Sequence, residues 1–267
     1  MSRLAVLTGA SSGIGARAAT VLAERGWRLA IVGRNRERTE RVAAQVGGTA
    51  YVADFDRLDD VRSLAERLGA DHGRIDVLAN NAGGLVSERG LSADGHELTL
   101  QRNHLAPFLL TALHSAQVDR VVHTASVANR FAQLRFDDLE WERRRWLGGW
   151  RSYGTSKLMT ILFARELAAR TAIESFSFHP GFVVTGFGAD SRLMKLGGAL
   201  GMRRSMITTE QGAQPLIELI DAEVVPAASG TYFDGLSPDG PTHRDDTVEN
   251  ARRVWEATER MVGFSPR

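Results

Sequence analysis

The chain contains no cysteine, only two lysines and three tyrosines, and no long apolar run. Without cysteine there is no disulfide, no thiolate nucleophile and no Cys-ligated metal. No stretch approaches the roughly 20 apolar residues of a membrane span. Met1 runs through Arg3 straight into Leu4-Ala5-Val6-Leu7, too short for a signal peptide. These absences predict a cytoplasmic protein without stable membrane insertion. A net charge of +1 argues neither for nor against an anionic partner, and no basic block points to nucleic acid. The seven histidines are scattered without metal-ligand spacing, so no metal is expected. With no linker or internal repeat, residues 1–267 read as a single domain.

The scarcity of lysine makes one of them conspicuous. Basic residues are otherwise all arginine, yet Lys157 stands four residues after Tyr153 in Tyr153-Gly154-Thr155-Ser156-Lys157, which opens a helical pattern running to about Arg170. Positions i and i+4 are neighbours on a helix, so a phenol and an ammonium can share one face.

Upstream, the apolar run Leu4 to Leu7 leads into Thr8-Gly9-Ala10-Ser11-Ser12-Gly13-Ile14-Gly15 and then a helical pattern ending at Gly26. Strand, glycine turn and helix start together suit a dinucleotide pyrophosphate, which needs close backbone approach and free N–H groups. The spacing is G-x-x-x-G-x-G rather than G-x-G-x-x-G. A second strand, Leu29 to Val32, ends at Gly33-Arg34-Asn35. An acid that would bond a ribose 2′-OH is missing there, and Arg34 could clamp a 2′-phosphate instead. That favours NADP(H), with Ser12 as a second contact, against the alternative of an exposed loop arginine. After strand 49–53, Asp54-Phe55 leaves two readings open: an acceptor for an adenine amino group, or an N-cap. The pattern continues with a helix from Leu58, strand Ile75 to Ala79 and Asn80-Asn81-Ala82-Gly83. Strands alternating with helices argue for a parallel, doubly wound sheet with its ligand at the strands' carboxyl ends.

A helix is expected from Glu97 to Gln117, with Asn103 and Pro107 inside it serving a kink or a bond. Strand 120–123 ends in Thr124-Ala125-Ser126. Residues 127–151 form an insertion carrying Trp141, Trp146 and Trp150, either a substrate-side lip or a surface flap with tryptophan anchors. Strand 174–178 precedes His179-Pro180-Gly181. Residues 186–208, rich in glycine and apolar side chains, read as a substrate lid, with a membrane-touching element as the alternative. A C-terminal helix within 245–267 closes the chain.

Taken together, Thr8-Gly9-x-x-x-Gly13-x-Gly15, Asn80-Asn81-Ala82-Gly83, Asn103, Ser126, Tyr153-x-x-x-Lys157 and Pro180-Gly181 resemble the short-chain dehydrogenases/reductases over nearly the whole chain. Asp94-Gly95-His96-Glu97, Asn103-His104-Leu105, Ser156-Lys157-Leu158 and Ser229 to Phe233 are similar to the retinol dehydrogenase branch. The resemblance implies a Rossmann-type α/β three-layer sandwich around a mainly parallel, seven-stranded sheet. It implies hydride transfer between NADP(H) and a largely apolar carbonyl or alcohol. Tyr153 would be the general acid/base, Lys157 would lower its pKa and hold the ribose, Ser126 would orient the substrate oxygen, and Asn103 would hold a relay water. Cofactor contacts would come from Gly9, Ser11, Ser12, Gly13, Ile14, Gly15, Arg34, Asn35, Asp54, Phe55, Asn81, Ala82, Gly83, Tyr153, Lys157, Pro180, Gly181, Val183 and Thr185.

Elementary chemistry fits these roles. A free phenol has a pKa near 10, and a base working near neutrality needs it about 3 units lower. An ammonium about 4 Å away at an effective dielectric of 20 supplies about that much. Two departures stand out: serines where many NADP-specific members put a second basic residue, which leaves NAD(H) open, and no N-terminal anchor of the branch. Homodimer or homotetramer pairing through the helices at Glu97 and Ser152 is a further expectation from the family. The alternatives are a non-catalytic NADP(H) sensor and a nucleotide-sugar epimerase; the latter normally carries an extra C-terminal domain.

Overall fold

The computed structural model describes residues 2–183 and 206–264. Seven parallel strands form its central sheet: β1 (Leu4–Thr8), β2 (Arg28–Gly33), β3 (Thr49–Val52), β4 (Ile75–Asn80), β5 (Val118–Thr124), β6 (Glu174–His179) and β9 (Tyr232–Asp234). Their order is β3-β2-β1-β4-β5-β6-β9. The direction of winding reverses between β1 and β4, and the crevice of such a sheet opens at that point. A short pair, β7 (Phe182–Val183) with β8 (Met206–Ile207), lies apart from this sheet.

The inner strands β1 and β4 are buried on both faces, as continuous apolar runs in a parallel sheet require, while the edge strand β3 is partly exposed. The two-residue period assigns the sides. Leu4, Val6, Leu78 and Val121 face one core, closed by α3 (Leu58–Asp71), α5 (Ala106–Leu113), α6 (Trp150–Arg170) and α8 (Val248–Val262). Ala5, Leu7, Ala79 and Val122 face the other, closed by α1 (Gly13–Glu24), α2 (Arg36–Val46) and α7 (Thr209–Asp221).

The helix expected from Glu97 to Gln117 is broken. It consists of α4 (Leu98–Leu100), a π turn (Gln101–Leu105) and α5, which stops at Leu113. Pro107 is the cause: it has no N–H for the carbonyl of Asn103 four residues earlier, so the backbone widens, and Ala106 N–H reaches Gln101 O instead. Thr160 Oγ1 donates to the Asn103 carbonyl at 3.4 Å.

Residues 127–151 begin as a 3₁₀ turn (Val127–Phe131) packed on α6. Trp141 is only 1% exposed and anchors the segment, with the Arg144 guanidinium 3.7 Å above its ring. Trp146 donates its indole N–H to Ser87 O at 2.8 Å, tying the segment to the loop after β4.

Candidate active site

The glycine turn is built so that backbone meets backbone. Gly9 has φ +66, and a Cβ on it would lie 2.7 Å from Ala82 Cα. A Cβ on Gly15 would lie 2.7 Å from the Gly9 carbonyl oxygen. Neither position admits a side chain. Ser12 starts α1 without a side-chain cap, which leaves the first-turn N–H groups of Gly13, Ile14 and Gly15 to an anion. This cradle fits the pyrophosphate of a dinucleotide, and Ser11 and Ser12 are on its rim. Asn81 holds the turn in place. Its Nδ2 donates to Thr8 O at 3.0 Å and its Oδ1 accepts from Thr124 Oγ1 at 3.2 Å. The Thr8 hydroxyl accepts from both Asn81 N and Ala82 N.

Farther along the crevice, Gly33 ends β2 and Arg34 follows, its side chain 62% exposed. Among the described residues its ion pairs are long, 3.5 Å to Asp56 and 3.9 Å to Asp54. The stronger partner of Asp56 is Arg102, on the π turn, which grips both carboxylate oxygens. Asn35 caps α2 by accepting from Arg38 N at 2.9 Å. Asp54 does not cap α3, so that reading is corrected. The N-cap position is Arg57, and Leu58 N donates to Asp94 Oδ2 from a distant loop. Phe55 is buried in the core, so only its backbone is left for a ligand.

Tyr153, Ser126, Lys157 and Asn103 are brought together at the carboxyl ends of β4 and β5. Tyr153 is 5% exposed and hydrogen-bonded to the Ser126 side chain. Lys157 Nζ is 5.7 Å from the centre of the phenol ring and donates to Thr124 O at 2.6 Å. Asn103 makes three side-chain hydrogen bonds. Its Oδ1 accepts from Gly84 N at 2.8 Å, and its Nδ2 donates to Gly84 O at 3.1 Å and Ser156 Oγ at 2.9 Å. Both of its amide hydrogens are thereby used, and the one acceptor site left on Oδ1 is crowded by Gly83. The carbonyl that the proline frees is the group that could take a water.

The electrostatics differ from the expectation of an acidified phenol. Burial pushes Tyr153 up to about 12, and the Ser126 hydrogen bond opposes this only in part. Burial likewise pulls Lys157 down to about 8. Two more buried groups lie behind the lysine: His104 and His123 are driven to about 3 by desolvation, so both are neutral.

Several neighbours escaped the sequence reading: the Thr124 carbonyl, Ser156, Gly84 and Trp150. The Trp150 ring is perpendicular to that of Tyr153 at 6.2 Å. Residues paired only through a backbone carbonyl leave no mark in sequence, although Trp150 could have been found by its i, i−3 spacing from Tyr153. Gly83 lies against Asn103, where a Cβ would come within 2.3 Å of Oδ1. Pro180 and Gly181 follow β6 at the same end of the sheet, and Val183 lies in β7. Thr185 and nearly all of 186–208 lie outside the described residues.

Comparison with known proteins agrees with this architecture. A family model for short chain dehydrogenase matches residues 3–143. The chain is 38% identical over 277 residues to the protein named as a daunorubicin C-13 ketoreductase, DnrU, of Streptomyces sp. (strain C5), covering 99% of this chain and 94% of that one. It is 31% identical over 285 residues to human retinol dehydrogenase 13, with 97% and 84% covered. An uncharacterised protein from Mycobacterium paratuberculosis superposes with a TM-score of 0.81 at 28% identity, covering 99% and 95%. A Burkholderia cenocepacia short chain dehydrogenase solved with NADP gives 0.68 at 24% identity, covering 87% and 95%, a likeness of fold. The chain belongs to the short-chain dehydrogenase family, resembles its retinol dehydrogenase branch, and is an NAD(P)-dependent oxidoreductase acting on CH–OH groups.

Proposed function

We propose that this protein transfers hydride between NADP(H) and a largely apolar carbonyl compound or its alcohol, with Tyr153 as the proton donor and acceptor. The observation that carries the reading is the buried phenol bonded to Ser126, one helical turn from Lys157. The nicotinamide would supply or accept hydride at its C4, and the chain's own residues would do the rest. The glycine turn and the start of α1 would hold the pyrophosphate. Arg34, with Ser12, would take the 2′-phosphate. Lys157 would reach the ribose hydroxyls, and Pro180, Gly181, Val183 and Thr185 would flank the nicotinamide. Ser126 would donate to the substrate oxygen and fix it against Tyr153.

A phenol held at about 12 is protonated at neutral pH, the state needed to protonate the oxygen of a carbonyl being reduced. Oxidation needs the phenolate, which burial disfavours. The oxidation rate is therefore expected to rise with pH; ketoreduction is what the name of the Streptomyces relative states. Residues 127–151 would wall the substrate, 186–208 would cover it, and 1–267 would act as one domain. Among the described residues no helix is long and apolar enough to cross a membrane. The proposal is a cytoplasmic enzyme, working as a homodimer or homotetramer.

The test is a panel of aldehydes, ketones and alcohols assayed with NADPH and NADH. Faster reduction of apolar carbonyls with NADPH is expected. Tight NADPH binding without turnover of any member would replace the enzyme reading with a sensor.

A further inference from the structure

Arg34 is the cation the proposed reading assigns to the 2′-phosphate, yet two carboxylates stand beside it. Asp54 lies 3.9 Å away and Asp56 3.5 Å away. A carboxylate that close competes with a phosphate for the same guanidinium. Asp56 is held more closely by a second arginine. Arg102 binds it through Nε and Nη2 together, the two-pronged geometry that gives the strongest arginine–carboxylate pairing. Both partners of that pair are mostly covered, at 28% and 18% exposure, whereas Arg34 is 62% exposed and holds Asp56 only at its distance limit.

The carboxylate cannot move out of reach. Asp56 N donates to Asp54 Oδ1 at 3.1 Å, and its carbonyl accepts from Ala93 N at 3.1 Å, so the backbone is pinned on both sides. Arg102 belongs to the π turn that Pro107 imposes, and it is 46 residues away from Asp56 in sequence. The other charges nearby are already paired or engaged. Asp60 accepts from Asp54 N at 3.0 Å and has Arg57 at 3.7 Å, while Asp94 accepts from Leu58 N and Gln101 Nε2. With Arg102 removed, Asp56 would retain one cation within reach among the described residues, and that cation is Arg34.

We infer that Arg102 is a positioning residue for cofactor choice: by occupying Asp56 it leaves the Arg34 guanidinium available to the 2′-phosphate that distinguishes NADP(H) from NAD(H). The inference rests on the NADP(H) reading of Arg34. It assigns Arg102 no contact with the cofactor.

A cycle of variants tests it through affinity alone, read from the fluorescence change of NADPH and NADH on binding. Arg102→Gln is expected to weaken NADPH binding about tenfold and to leave NADH within about twofold. Asp56→Asn, which removes the competitor, should bind NADPH at least as well as the unaltered protein. The double variant should match Asp56→Asn, because without the carboxylate Arg102 has nothing left to restrain. Retained NADH affinity in Arg102→Gln reports that the fold is intact. Unchanged NADPH affinity in Arg102→Gln overturns the inference. So does an equal loss for both cofactors, or a double variant as weak as Arg102→Gln, which would mean that Arg102 itself touches the phosphate. Should Arg34→Ala leave both affinities unchanged in the unaltered background, the phosphate reading falls and takes the inference with it.

Discussion

The two ends of the crevice are made differently. At the nucleotide end the working groups are backbone N–H groups exposed by glycine, and the side chains that would choose the cofactor stand in solvent with long, loose contacts. At the other end the working groups are side chains, and they are buried: Tyr153, Ser156, Lys157 and Asn103 are each 5% exposed or less. The first end tolerates exchange of side chains but not the addition of a Cβ. The second tolerates neither, because each polar group there depends on a named partner for its hydrogen bond.

The largest effect should come from Gly15→Val. Its Cβ would press on backbone, 2.7 Å from Gly9 O and 2.8 Å from Ala10 Cα, so the turn must open. Loss of NADPH binding together with a lower melting temperature is expected. Normal binding would show that the cradle is not the nucleotide site. Tyr153→Phe comes next, with kcat for carbonyl reduction falling about 10³-fold while NADPH affinity holds. A variant that turns over at the parental rate would move the proton chemistry elsewhere.

Asn103→Ala should lower stability by about 2–4 kcal/mol, since Ser156 and both backbone groups of Gly84 lose a partner. Chemical denaturation gives that number directly. Acid should weaken the same end. His104 and His123 refuse protons until about pH 3 in the folded state, whereas the unfolded chain takes them up from about 6.5. Below that pH the unfolded state binds more protons, so stability falls as pH falls, by about 2 kcal/mol per histidine at pH 5. Denaturation midpoints at pH 7 and pH 5 compare the two, and Asn substituted at both positions should flatten the difference. The smallest effect belongs to the exposed end: Arg34→Ala should weaken NADPH binding about tenfold and leave NADH unchanged.

The same contrast explains what the sequence could convey. Strands buried on both faces, the glycine turn and the Tyr153–Lys157 spacing are local patterns, and each was readable with its neighbours in the chain. The broken helix was half readable. Pro107 announced a disturbance, but not that the backbone would widen into a π turn and carry Arg102 toward Asp56. The capping of α3 by Asp94 joins residues 36 apart, and no spacing rule reaches that far. The depth of the pair was not readable. Helical spacing sets the Lys157 ammonium near Tyr153, but spacing says nothing about burial, which pushes the phenol up and the ammonium down.

Thr124 belongs to both ends. Its carbonyl receives the Lys157 ammonium, and its hydroxyl reaches Asn81, which grips the glycine turn. A chimera built to act on new compounds therefore has its seams dictated in advance. Segments such as 84–91 and 132–149 can be borrowed from a relative, because the join between nucleotide and proton machinery runs through a strand end that neither graft would cut.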